Sequence, residues 1–242
     1  TEEMLQQGHR SLFLYVWFSA IVSTTAKEEC ECREGHVVCE SKGRIYSGEC
    51  EGDNRQGYGI HQLTNGNRYE GQFHGGQIEG YGINTLENGD ILRGTFTNEK
   101  LEGYAIYKYP GGQEYRGEYV GGLRDGFGKL DLSESVTFEG EWKNDVIDGY
   151  GILTVDGEEI HGKFLDTDLI DELVTIPPDI AEGTEFAMTQ SSIAAQKAND
   201  AAKQGQEASS KAHKVNPLVY EEPIGLDGSL ESEGRSRIKV PF

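Results

Sequence analysis

The chain has 242 residues, a formal net charge of −20, 33 glycines and only 36% hydrophobic residues. So few apolar side chains among so many glycines exclude a thick two-layered core and favour a thin, turn-rich fold. The negative charge repels nucleic-acid phosphates over roughly a Debye length, ~8 Å, so no nucleic-acid partner is expected; the longest basic patch is the mixed Arg235-Ser236-Arg237-Ile238-Lys239.

Residues 1–26 hold the one strongly apolar run, Leu12 to Val22, inside an uncharged stretch from Ser11 to Ala26. As a helix this stretch is ~24 Å long, somewhat short of the ~30 Å hydrocarbon core. The leading expectation is a hydrophobic helix that anchors the chain to a membrane. Two alternatives stay open. One is a signal peptide, with His9 and Arg10 before the run and Ser23 to Ala26 after it; the other is a helix buried against a partner.

Residues 27–42 form a Cys-rich cap. Cys30, Cys32 and Cys39 lie here and Cys50 follows, with no further cysteine. Four cysteines allow three pairings. Disulfides place this end in an oxidising or organellar compartment, whereas reduced thiols fit the cytosol. Cys30, Cys32, His36 and Cys39 are a weak zinc candidate, because a one-residue spacing makes a strained chelate. Disulfides are the favoured reading.

Residues 43–171 repeat themselves. An apolar residue followed two positions later by glycine recurs at Tyr46/Gly48, Tyr69/Gly71, Leu92/Gly94, Tyr115/Gly117, Phe138/Gly140 and Ile160/Gly162, spaced 23, 23, 23, 23 and 22 residues apart. Two residues beyond each glycine stands Cys50, Phe73, Phe96, Tyr119, Trp142 or Phe164, and a later triplet such as Gly80-Tyr81-Gly82 recurs in the first five copies. Each copy predicts two short strands. In the first, period-2 alternation sends Tyr69, Gly71 and Phe73 to one face. Asn65-Gly66, Asn88-Gly89, Gly111-Gly112 and Asp156-Gly157 are turn signals, and Glu134-Ser135, which lacks one, predicts an irregular turn. The glycines leave gaps over which neighbouring rings can lie, so each copy buries the rings of the next in a quasi-one-dimensional array. Cys50 occupies an aromatic slot in the first copy, so a bond to it would pin the cap to the sheet and contribute ~2–4 kcal/mol. His36-Val37-Val38-Cys39-Glu40 can supply a capping strand.

These residues resemble the MORN repeat, most clearly in Phe138-Glu-Gly-Glu-Trp-Lys-Asn-Asp-Val-Ile-Asp-Gly-Tyr-Gly151. The resemblance implies a mainly β fold, an elongated single-layer antiparallel sheet of repeated hairpins, here with an N-terminal hydrophobic helix and a C-terminal Ala-rich helix. It also implies protein partners held on the aromatic-glycine face, via helices, by Tyr58, Tyr69, Phe73, Tyr81, Phe96, Tyr104, Tyr115, Tyr119, Phe127, Phe138, Trp142 and Tyr150. Some proteins of this kind carry a methyltransferase or lipid-kinase domain beside the array. The roughly seventy residues after this array read as a helix and a tail, so no enzyme activity, catalytic residue or cofactor is expected.

A linker at 172–185, broken by Pro177-Pro178, leads to a predicted helix at 186–214 and an extended tail at 215–242. On that helix Ala187, Ser191, Ala194, Ala198, Ala201, Gly205, Ala208 and Ala212 alternate four and three residues apart. Such a seam permits close approach to a flat surface but buries little apolar area. The function expected is that of a non-catalytic structural subunit in a membrane-associated complex, with a soluble cytoskeletal or ciliary scaffold as the alternative.

Overall fold

The computed structural model describes residues 30–216. The expected N-terminal helix and the tail beyond Asn216 lie outside the described residues. The remainder is one open antiparallel sheet in simple sequence order: β1 (His36–Ser41), β2 (Arg44–Glu51), β3 (Asn54–Gln62), β4 (Arg68–His74), β5 (Gln77–Thr85), β6 (Ile91–Thr97), β7 (Lys100–Lys108), β8 (Glu114–Val120), β9 (Leu123–Asp131), β10 (Val136–Lys143), β11 (Val146–Val155), β12 (Glu158–Leu165) and β13 (Asp168–Leu173). Among the described residues one helix, α1 (Pro178–Val215), returns along the sheet.

Both edges of the array differ from their predicted bounds. The sheet starts at His36 rather than 43, because the capping strand β1 pairs with β2 through Val38↔Ser47 and Cys39↔Tyr46. It ends at Leu173. The helix begins at Pro178, eight residues earlier than expected. Proline fits the first helical position, where a backbone N–H would lack an intrahelical acceptor anyway, so Pro177-Pro178 both stops the sheet and starts the helix.

One face of the sheet is the core. Along β4 the burial alternates so that Tyr69, Gly71 and Phe73 are all buried. Tyr46, Phe73, Tyr69, Phe96, Tyr115, Tyr119, Trp142, Phe138 and Phe164 meet edge to face, with centroids 5.0–5.6 Å apart. This is the favoured arrangement for ring quadrupoles. The rings bury one another, and among the described residues no second layer covers them. Each Tyr ring reaches across the glycines of its own hairpin: a Cβ added at Gly82 would stand 2.3 Å from the Tyr69 hydroxyl oxygen, and one at Gly128 2.2 Å from that of Tyr115. The hydroxyls then donate to backbone carbonyls, Tyr46 to Glu49 at 2.6 Å and Tyr69 to Gln72 at 3.1 Å.

The third copy departs from this pattern at two positions together. Leu92 stands for the tyrosine, and fully buried Ala105 for the glycine that would lie under it. A shorter side chain leaves room for one methyl group.

Each copy also contains a β-bulge, as between Gly71 and Phe73 where β4 meets β5. The bulge takes the Tyr81 N–H out of that ladder, and the Gln72 side-chain oxygen accepts it at 2.7 Å. Glu49, Glu118 and Glu141 do the same for the N–H groups of Tyr58, Phe127 and Tyr150. Thr95 is too short to reach, and a Cβ at Gly103 would meet nothing within 4 Å, whereas one at Gly80 would strike Gln72.

The tight turns within the copies fall at Gly52-Asp53, where only the glycine has positive φ, and at Gly75-Gly76, Asn98-Glu99, Gly121-Gly122, Asn144-Asp145 and Asp166-Thr167, where both residues do. These two-residue turns match the twist of paired strands. The dipeptides Asn65-Gly66, Asn88-Gly89 and Gly111-Gly112 lie instead in five-residue turns between copies, closed by bonds such as Leu63 N–H to Asn67 O. The turn at Leu132–Ser135 is shorter and differently bonded, as Glu134-Ser135 predicts.

Candidate functional site

The second face of the sheet is a groove, and three rows of residues build it. The floor is the backbone of Gly59↔Gly71↔Gly82↔Gly94↔Ala105↔Gly117↔Gly128↔Gly140↔Gly151, in register across nine strands. Side chains here point to the core face, so the groove side is bare backbone. One wall carries Tyr58, Tyr81, Tyr104, Phe127 and Tyr150. The other carries Ile60, Glu70, Ile83, Arg93, Ile106, Arg116, Lys129, Glu139 and Ile152, mutually paired in the same registers.

Helix α1 lies on this floor, crossing from β11 back to β1. Its 38 residues span ~57 Å, against ~48 Å for ten strand intervals. All eight seam residues from Ala187 to Ala212 are buried, and Ala187, Ser191, Ala198 and Ala212 are fully so. The physical reason is a match of two periods. Seven residues of helix rise ~10.5 Å, and one two-strand hairpin advances ~9.6 Å, so each hairpin receives one turn-pair of small side chains.

The contacts confirm that register. Ser191 Oγ shares its proton between Ala187 O at 2.7 Å and Gly117 O at 3.2 Å, and a Cβ added at Gly205 would stand 2.7 Å from Gly59 O. At the aromatic wall a Cβ on Gly183 would lie 2.7 Å from the Phe127 ring, Phe186 meets Tyr104 edge-on at 6.0 Å, and the Lys197 ammonium sits 5.0 Å above the Tyr81 ring centre. At the other wall Gln206 Nε2 donates to Glu70 Oε1 at 3.1 Å. Beyond the walls Ser209 and Ser47 share a buried bond of 2.6 Å, and Asn216 Nδ2 donates to His36 O at 3.0 Å.

The twelve aromatic residues expected to share one binding face are divided between two. Tyr69, Phe73, Phe96, Tyr115, Tyr119, Phe138 and Trp142 are buried in the core face, whereas Tyr58, Tyr81, Tyr104, Phe127 and Tyr150 form the groove wall. Burial pushes the hydroxyl pKa of Tyr69, Tyr115 and Tyr119 well up. The division was present in the sequence as parity. In Gly80-Tyr81-Gly82 the glycines occupy the ring side, so the tyrosine between them faces away. The polar wall of Glu70, Arg93, Arg116, Lys129 and Glu139 carries no sequence signal distinguishing it from an ordinary solvated face.

The four cysteines pair as Cys30–Cys39 and Cys32–Cys50. The second bond ties the cap to the aromatic slot of the first copy. Pairing consumes the thiolates that zinc at Cys30, Cys32, His36 and Cys39 would need, and His36 Nδ1 lies 3.0 Å from Glu34 O. Among the described residues no group of three or more His, Cys, Asp or Glu is placed to hold a metal ion, and no helix is long and apolar enough to cross a membrane.

Comparison with protein-family models gives the MORN repeat at residues 46–68, 69–91, 93–114, 115–133 and 138–158. No curated protein matches the chain.

Proposed function

From the premise that this chain is a MORN-repeat protein with five tandem repeats, we propose that it is a non-catalytic scaffold that holds partner proteins on its sheet within a membrane-associated complex. The observation that carries this reading is the seating of α1: a groove that accepts a long helix through bare backbone, aromatic wall and fixed pitch is a helix-binding surface. The chain's own helix fills it from β1 to β11, and the sheet continues through β12 and β13, where Leu165, Leu169 and Ile170 are exposed. Partners engage the aromatic wall near Tyr150 and this uncovered end.

The two disulfides support an oxidising compartment for the sheet, and Leu12 to Val22 supplies the membrane attachment. Two experiments test the reading. A photo-reactive phenylalanine at Tyr150, activated in the native setting, should give a defined adduct with another protein; adducts confined to the chain itself would contradict the scaffold role. Carbonate washing should leave the protein in the membrane fraction, and its release without detergent would remove the membrane part.

A further inference from the structure

The repeats allow one copy to serve as a control for another. Arg55 and Arg124 occupy the same place, two residues before Gly57 and Gly126, where the other copies carry Ile78, Leu101 and Ile147. The backbone around them is the same: Gly76 N–H donates to Arg55 O at 3.0 Å, and Asp145 N–H donates to Arg124 O at 3.0 Å. Both guanidinium groups lie over matching rings, Arg124 at 4.4 Å from Trp142 and 5.5 Å from Tyr115, Arg55 at 5.6 Å from Phe73 and 5.8 Å from Tyr46.

Their partners differ. Arg124 Nε donates to the Asp145 carboxylate at 3.1 Å and Nη2 to Asp145 O at 2.7 Å. Arg124 reaches Asp145 in the copy that follows its own; at the same place relative to Arg55 the second copy has Gly76, so among the described residues no carboxylate bonds Arg55, and Glu99 acts on it only through its field. Arg55 meets the ring of His61 instead, Nη1 to Nδ1 at 3.2 Å. Leu130 and Gln113 around Arg124 correspond to His61 and Arg44 around Arg55, so the substitutions together make this end more positive. Arg55, Arg44 and His61 line a cleft of about 470 Å³ against Val37, Leu63, Ile78 and the disulfides. Asp53 and Glu99 also line it, but both are exposed, and among the described residues neither forms an ion pair with Arg55 or Arg44.

We propose that the cleft at the disulfide-capped end binds an organic carboxylate: its oxygens take the place on Arg55 that Asp145 fills on Arg124, Arg44 adds a second cation, and an apolar body rests on Val37, Leu63 and Ile78. A guanidinium fork half-withdrawn from water favours a carboxylate over a neutral group, because charge-assisted bonds to it are short and directional. Burial, with Arg55 and Arg44, holds His61 neutral to about pH 4, which keeps its ring available as a hydrogen-bonding partner of Arg55.

The test is calorimetric titration of the full disulfide-bonded chain with 2-naphthoate, with neutral 2-naphthamide, and with the peptide acetyl-Glu-Phe-amide. The first probe represents a free carboxylate and the last an acidic side chain of another protein. Saturable one-to-one binding of either carboxylate, without binding of the amide, is expected, and the tighter one identifies the source. Gly76→Asp supplies the missing carboxylate in a backbone conformation, φ +86°, close to the φ of 71° that Asp145 adopts. Arg55→Ile copies the second and fifth copies. Each variant should weaken binding at least tenfold, and Gly76→Asp should also raise the melting temperature. Absence of saturable binding by both carboxylates, equal binding by the amide, or unchanged affinity in both variants would overturn the proposal.

Discussion

At the scale of single residues the sheet obeys a rule of exchange between ring and glycine. Tyr69 lies where a Cβ on Gly82 would be, and Leu92 with Ala105 shows the one tolerated variation, a smaller side chain over a larger floor. Gly82→Ala should therefore destabilise the chain by about 1–3 kcal/mol through displacement of the Tyr69 ring, measured by chemical unfolding. The double change Gly82→Ala with Tyr69→Leu, copying the third copy, should recover part of that loss. This rule was legible, because the 23-residue period displays every ring with its glycine. The side-chain acceptors Glu49, Gln72, Glu118 and Glu141 were not, since the N–H groups they satisfy are exposed only by bulges that leave no mark in composition.

His61 gives a pH dependence with a defined sign. Its pKa is lowered from the ordinary 6.5 to about 4, first by burial and then by Arg55 and Arg44. Below pH 6.5 the unfolded chain accepts a proton that the folded chain refuses. The stabilising contribution is thus complete above pH 6.5 and is lost as pH falls toward 4. In thermal melts across that window, His61→Leu, the residue type at Leu130, should flatten the decline relative to the native chain; an identical slope would remove His61 as its source.

Among the elements, α1 reverses an ordinary rule of helix propensity. Glycine within a helix ordinarily weakens it, and Gly→Ala strengthens it by up to ~1 kcal/mol. Here the sign should reverse, because a Cβ at Gly205 would press on the backbone oxygen of Gly59, which has no side-chain rotamer with which to yield. Gly205→Ala should lower the melting temperature, whereas Gln204→Ala, on the exposed side, should not. The seam was legible in the sequence as alternating steps of four and three, and all its members are buried. Its partner was open then, since small residues fit any flat surface; what fixes it is the pitch of the hairpins, a property of the folded sheet. The helix start at Pro178 was missed because a proline pair signals an end more readily than a beginning. The tight turns were missed at Asn98-Glu99, Asn144-Asp145 and Asp166-Thr167, where positive φ is held without glycine.

On the scale of the molecule, a one-layer sheet has two ends that its repeats leave unsatisfied. The first is closed by β1, by the two disulfides and by the end of α1 at His36; the second is strand β13, almost wholly exposed. Since Cys32–Cys50 closes a loop of 18 residues, its loss should destabilise the array by ~3 kcal/mol. Reduction, or Cys32→Ser with Cys50→Ser, should lower the melting temperature, and hydrogen exchange should rise first in β1 and β2. Unaltered exchange there would mean that pairing alone closes this end. The cysteine cluster marked the cap in the sequence, but its connectivity needed the register that places Cys50 beside it.

The glycine floor and aromatic wall seat a helix in a register set by the hairpin repeat. Photo-reactive phenylalanine at Tyr81 and, separately, at Tyr104 of the full chain measures this most directly, with the adducts mapped by mass spectrometry. The register described here predicts linkage from position 81 to the segment around Lys197 and from position 104 to the segment around Phe186. Adducts in exchanged order, or none with α1 from either position, would contradict it.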